Sequence, residues 1–208
     1  MCNNEPEQGL EAIWLDGVNG MMWKRIFGRT DREQEAYAIY AALVSQARKP
    51  ALYLDGGVPD TLEGRFEMLA LHAFLVLRRL RKVAETEAEA SKELGQKVFD
   101  ILFDDMDQTL REIGISDLKV GKEIKGMASA FYGRIGAYDE GLDSPESDAL
   151  QTALTRNVYA GVAPDGAVLA LMSAYVRRFD AALTAVSTAS MLEGALPSIE
   201  FNDKDMTQ

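Results

Sequence analysis

Apolar residues recur at intervals of three and four along most of this chain, the period of helices with one buried side. Tyr37, Tyr40, Ala41 and Val44 predict a helix over Asp31–Arg48, ended by Pro50, whose ring cannot continue it. Tyr53 to Asp60 reads as a turn-rich connector. Asp60 is placed to cap the next helix, and Glu63 three residues on completes a capping box. That helix runs to Val83. Leu62, Phe66, Leu69, Ala73, Val76 and Leu80 form one stripe, and Met68, Leu71, Leu75 and Leu77 fill much of the rest. A helix apolar on most sides belongs at the centre of a bundle.

A third strong segment spans Ala90–Ile113 and stops at Gly114, with Phe99, Phe103, Met106 and Leu110 on one face. A further helix is predicted over Val120–Tyr138, through Ile124, Met127, Ala128, Phe131 and Ile135. Ser144-Pro145-Glu146 has the form of a helix start, Ser as cap and Pro in the first position, and that helix ends near Gly161. The last helix follows Pro164-Asp165-Gly166, passes Leu169, Met172, Val176, Phe179 and Leu183, and fades towards Gly194. No segment alternates with period two. The pattern implies an all-α, single-domain helical bundle of about six or seven helices. Residues 1–29 read as an N-terminal arm, disordered or amphipathic, 30–194 as the helical domain and 195–208 as an acidic tail, loose after Pro197. Met21 or Met22 offers an alternative chain start.

Composition narrows the function classes. The 208 residues are 47% hydrophobic and 26% charged, ordinary for a folded domain, and the net charge is −11. That charge opposes general nucleic-acid binding, which needs a positive surface against phosphate. The single cysteine, Cys2, allows no internal disulfide and fits a reducing compartment. No apolar run approaches the roughly 18 residues of a membrane span. The N-terminus carries Glu5, Glu7, Glu11 and Asp16, unlike a secretory signal or an acid-poor transit peptide.

Ligands and nucleophiles for chemistry are few. His72 alone cannot build a di-iron, zinc or haem site, and no cofactor is implied. It could join a catalytic dyad, but its apolar neighbours favour a buried histidine bonded to a carbonyl or carboxylate. Asp104-Asp105-Met106-Asp107 is similar to an aspartate-rich magnesium motif, with Gln108 where acid is expected. Arg65, His72 and Arg79 share one helix face, and Asp100, Asp104 and Asp107 share another. The two could meet as an internal ionic seam, or the acids could simply be solvated. Arg78-Arg79-Leu80-Arg81-Lys82 suits a helix C-terminus, or it forms a docking patch for an anionic surface such as ribosomal RNA. Trp23, Lys24, Arg25 and Phe27 form a small patch suited to weak peripheral contact with a bilayer.

The central stretch resembles the ubiquinol–cytochrome c chaperone family, assembly factors for the respiratory bc1 complex. The blocks carrying this are Val58 to Phe66, with Pro59, Asp60, Gly64, Arg65 and Phe66, then Leu71-His72 and Leu77-Arg78-Arg79-Leu80. Phe103 to Asp107, with Asp104, Asp105 and Asp107, and then Arg111 and Gly114 follow. Phe131-Tyr132-Gly133-Arg134, Ala137 to Glu140 with Tyr138, and Arg156-Asn157-Val158-Tyr159 complete them. The resemblance implies an all-helical, non-enzymatic chaperone for newly made cytochrome b or other bc1 subunits. A ribosomal contact and a small helical co-chaperone come with it. Without a presequence, the chain reads as a bacterial member, cytoplasmic or at the inner face of the membrane. Tyr132, Tyr138 and Tyr159 are either the lining of an exposed client-binding groove or ordinary core. A magnesium-dependent helical enzyme and a membrane-peripheral adaptor are the competing readings.

Overall fold

The computed structural model describes residues 32–83, 87–144 and 148–202, and among them the architecture is wholly helical. Eight helices follow in order: α1 Glu33–Ala47, α2 Pro50–Leu54, α3 Leu62–Val83, α4 Ala88–Glu112, α5 Asp117–Asp143, α6 Ala149–Asn157, α7 Gly166–Ala185 and α8 Thr188–Leu192. Six are the expected helices. The other two, α2 and α8, are five residues each, too short for periodicity to reveal. Pro50 does end α1, but it also opens α2, where its missing N–H costs nothing in the first turn.

The centre of the bundle is α3. Every residue from Glu67 to Arg78 is buried, as the nearly continuous apolar run requires. Around it lie α1, α4 and α7, while α5 packs on α4 and α6, and α6 on α7. Phe99, Phe103 and Phe131 make the α4–α5 seam, with ring centroids 4.6–6.2 Å apart. Each such buried ring contributes about 1.5–3 kcal/mol over its exposed state.

Local chemistry corrects several expected boundaries. Thr61, one residue later than Asp60, caps α3: its Oγ1 accepts from the Gly64 N–H at 3.1 Å. Asp60 instead accepts from Arg65 Nε at 2.6 Å. Between Tyr138 and Asp143 nothing breaks the helix, so α5 extends five residues past its expected end. Ser144 follows α5 as its C-terminal flank, and Asp148 precedes α6; Pro145 and Glu146 lie outside the described residues. The α5–α6 approach depends on Gly141, because a Cβ there would stand 2.6 Å from the Leu150 backbone.

Residues 195–202 are less loose than their composition suggests. They run as an extended strap over α1 and α7. Lys49 Nζ donates to the Ile199 carbonyl at 2.6 Å and to Glu200 at 2.7 Å, Gln46 Nε2 also donates to Ile199 O, and Arg178 donates to Glu200 O. Phe201, only 5% exposed, packs 5.5 Å from Tyr175.

Two outcomes follow from this packing. Gly141→Ala should lower stability to urea by about 1–3 kcal/mol, the usual cost of overpacking. Phe201→Ala should raise amide exchange across 195–202 while leaving α3 protected, since Phe201 is the buried side chain of the strap and the remaining ties lie nearer the surface.

Candidate functional site: charged ties inside and an open face on α5

Three side chains of α3 that the sequence marks as charged or polar point inward, and each is satisfied by a partner from another helix. Arg78 is 2% exposed. Its guanidinium pairs with Asp139 and, at 2.5 Å, Asp143 of α5, and lies 3.3 Å from Asp180 of α7. Burial alone would depress its pKa; the bonds to Asp143 and Asp139 more than reverse that and keep it charged. Arg78 in turn holds the Asp143 carboxyl below the usual range. Arg81 joins Asp139 at 2.7 Å, and Lys82 lies 3.7 Å from Asp143. Arg79 caps the end of α7 by donating to the Leu183 and Val186 carbonyls, both at 3.0 Å. Arg78, Arg79 and Arg81 of the basic run are thus engaged within the bundle, and Lys82 stays half exposed beside Asp143.

Glu67 and Arg134 form the second tie. Arg134 Nε donates to Glu67 Oε2 at 2.8 Å, Nη2 reaches the other oxygen, and the guanidinium lies 6.0 Å over the Phe66 ring. Burial pushes the Glu67 carboxyl up despite this cation. A buried acid inside the run Phe66 to Leu71 is itself a sequence signal for such a partner. Gly64 serves the same region: a Cβ would collide with the Pro59 carbonyl, so glycine lets the connector fold back on α3.

His72 is the third. Its Nδ1 lies 2.7 Å from Met68 O, which only a protonated nitrogen can approach as a donor. Its Nε2, 2.6 Å from Tyr175 Oη, is then the acceptor. Gln46 Nε2 donates to that same hydroxyl at 2.9 Å, completing a directed chain from α1 through α7 to α3. Complete burial lowers the His72 pKa to about 4. The buried-histidine reading holds, and a dyad with reach to a substrate does not form.

Among the described residues, no ion pair joins the two charged stripes, because they face different neighbours. Arg65 is exposed and bound to Asp60. Asp105 accepts from Tyr40 Oη at 2.7 Å, Asp107 pairs with Arg111, and Asp100 accepts from Gln96. Arg111 also reaches Asp117 at the start of α5, closing the corner after Gly114. Among the described residues, no three His, Cys, Asp or Glu side chains gather as a metal site. Asp104, Asp105 and Asp107 share a short stretch of α4, but Asp105 and Asp107 are already engaged elsewhere.

Of the candidate groove aromatics, Tyr138 and Tyr159 are core. Burial pushes the Tyr138 hydroxyl up, with the Asn157 side chain beside it acting the other way. Tyr159 Oη donates to Gly56 O at 2.7 Å. Tyr132 is half-buried, 5.9 Å from Phe99. Arg156 is exposed beside Asn157. The Trp23, Lys24, Arg25 and Phe27 patch lies outside the described residues.

What these ties leave open is the outward face of α5. Gly121, Gly126, Gly133 and Gly136 lie along it, and a Cβ on any of them would meet nothing within 4 Å. Internal ties and an uncrowded glycine-bearing face on α5 describe a helical scaffold. The chain belongs to the ubiquinol–cytochrome C chaperone family, whose model matches residues 54–200. A solved relative, the Cbp3 homolog from Brucella abortus, superposes with a TM-score of 0.73 at 36% identity, covering 82% of this chain and 91% of that one. The ubiquinol-cytochrome-c reductase complex assembly factor 1 of Xenopus laevis is 27% identical over 143 residues, 69% of each chain. Its mouse and human counterparts are also 27% identical, and there the chain spans 47% and 46% of the relative's length.

Breaking the central tie should be costly. Arg78→Ala removes the buried cation that Asp139, Asp143 and Asp180 share and leaves Asp139 with Arg81 alone, and denaturant titration should show a loss of about 3–5 kcal/mol. The histidine gives a pH signature. Above about pH 6.5 both folded and unfolded His72 are neutral. As pH falls towards 4, the unfolded chain takes up a proton that the native site refuses. Stability should therefore drop with a slope approaching about 1.4 kcal/mol per pH unit in that window. His72→Gln, which cannot titrate, should lack this component, and parallel pH profiles for the two proteins would contradict it.

Proposed function

We propose that this protein is an assembly chaperone of the bc1 complex. It binds newly synthesised cytochrome b or an early assembly intermediate, and it acts by offering a surface rather than by catalysing a reaction. The observation that carries the reading is the family match over residues 54–200. The names of the animal relatives, assembly factors of ubiquinol-cytochrome c reductase, support it.

The structure supports the non-catalytic part of the reading through the use it makes of reactive groups. His72 is sealed in the core, and Asp105 and Asp107 are engaged with Tyr40 and Arg111. No helix among the described residues is long and apolar enough to cross a membrane. The likeness to a Brucella protein supports a bacterial setting, with the chaperone in the cytoplasm at the inner face of the membrane where a client such as cytochrome b enters. A small helical co-chaperone and a ribosomal contact belong to the same expectation, and no surface described above singles out either.

Deleting the gene should lower assembled bc1 complex severalfold while leaving the mRNA of its subunits unchanged. Re-expression of the wild-type chain should restore the complex. Normal bc1 levels in the deletion strain would refute the assignment.

A further inference from the structure

The geometry points to a membrane-docking face at the α4–α5 corner, where Ile113 and Leu118 enter an anionic bilayer and Lys119, Lys122 and Lys125 bind its headgroups. Leu118 is 96% exposed and Ile113 53%, and both sit at one corner of the bundle. Leu118, Lys122 and Lys125 are spaced i, i+4 and i+7 and so share one side of α5, with Lys119 on its flank. Among the described residues these lysines make no ion pair, whereas Arg78, Arg81, Lys82, Arg111 and Arg134 all do. Asp117 is occupied by Arg111. Glu112, which accepts from Gln108, precedes Ile113 at the end of α4, Glu123 lies at the edge four residues after Lys119, and the next acid on the outward side of α5 is Glu140.

On a chain of net charge −11, three unpaired cations on one helix side make a local reversal of sign. That side complements an anionic surface. The apolar pair selects a bilayer over a phosphate chain. Lysines alone can follow nucleic acid, but the two aliphatic side chains gain only where hydrocarbon is available. Open glycines at 121 and 126 keep the helix side low, so the lysine stems can lie along the headgroup layer.

The test is flotation of the full-length protein with vesicles of phosphatidylcholine alone and of phosphatidylcholine mixed with phosphatidylglycerol, at low and high salt. Binding is expected only to the anionic vesicles, and it should weaken with salt. Lys122→Ala and Lys125→Ala should each weaken it about fivefold, the usual worth of one lysine at an anionic surface. Leu118→Asp should weaken it at least tenfold, with circular dichroism and melting unchanged because the residue is exposed. Trp23→Asp should leave most of the binding in place. The inference is overturned if the wild type does not float, if it floats equally with neutral vesicles, or if Leu118→Asp binds like wild type. A lysine dependence that appears with single-stranded RNA and is untouched by Leu118→Asp would assign the face to nucleic acid instead. The assay contains no bc1 subunit, so its outcome is separate from that of the gene deletion.

Discussion

The buried guanidinium of Arg78 is the constraint around which the bundle is arranged. A charge with 2% exposure persists only if its surroundings neutralise it, and here two aspartates of α5 and one of α7 do so. Because these acids come from different helices, one side chain of α3 fixes where α5 and α7 can lie. Burial of Leu71, Leu75 and their neighbours supplies the driving force, but apolar contact tolerates sliding and rotation. The charged ties do not. Glu67 with Arg134 sets α5 a second time, and the Gln46–Tyr175–His72 chain sets α1 against α7.

This economy bears on function. Arg78, Arg134, His72 and several carboxylates serve internal registry. The scaffold remains able to hold a shaped exterior. The outward side of α5 is one such exterior, with glycines that no neighbour crowds and lysines that, among the described residues, form no ion pair. Assembly factors of the reductase are the proteins to which this chain is similar.

Much of the fold was legible because helical period and apolar content dominate the chain. The stripe from Leu62 to Leu80 predicted a central helix, and the fully buried α3 is that helix. Five-residue helices were not legible, since one and a half turns cannot display a period. The resemblance rested on residues whose roles proved mostly structural. Gly64 lets a connector return, Arg78 and Arg134 tie helices, and Tyr138 fills the core. The partners Asp139 and Asp143, spaced i and i+4, were a readable match for the Arg78, Arg81 and Lys82 pattern.

By itself, the sequence determined that the chain is helical, which helix is central, and the family, and it favoured a buried His72. It did so through local period and through blocks in order, which need no knowledge of what meets what. Only the tertiary structure decided that Arg78 is internal, that among the described residues no ion pair joins the acidic stripe to the Arg65–His72–Arg79 side, and that residues up to Asn202 are strapped to the bundle. Those outcomes depend on how helices rotate about their axes relative to one another. That rotation is set by contacts tens of residues apart, which no local pattern encodes.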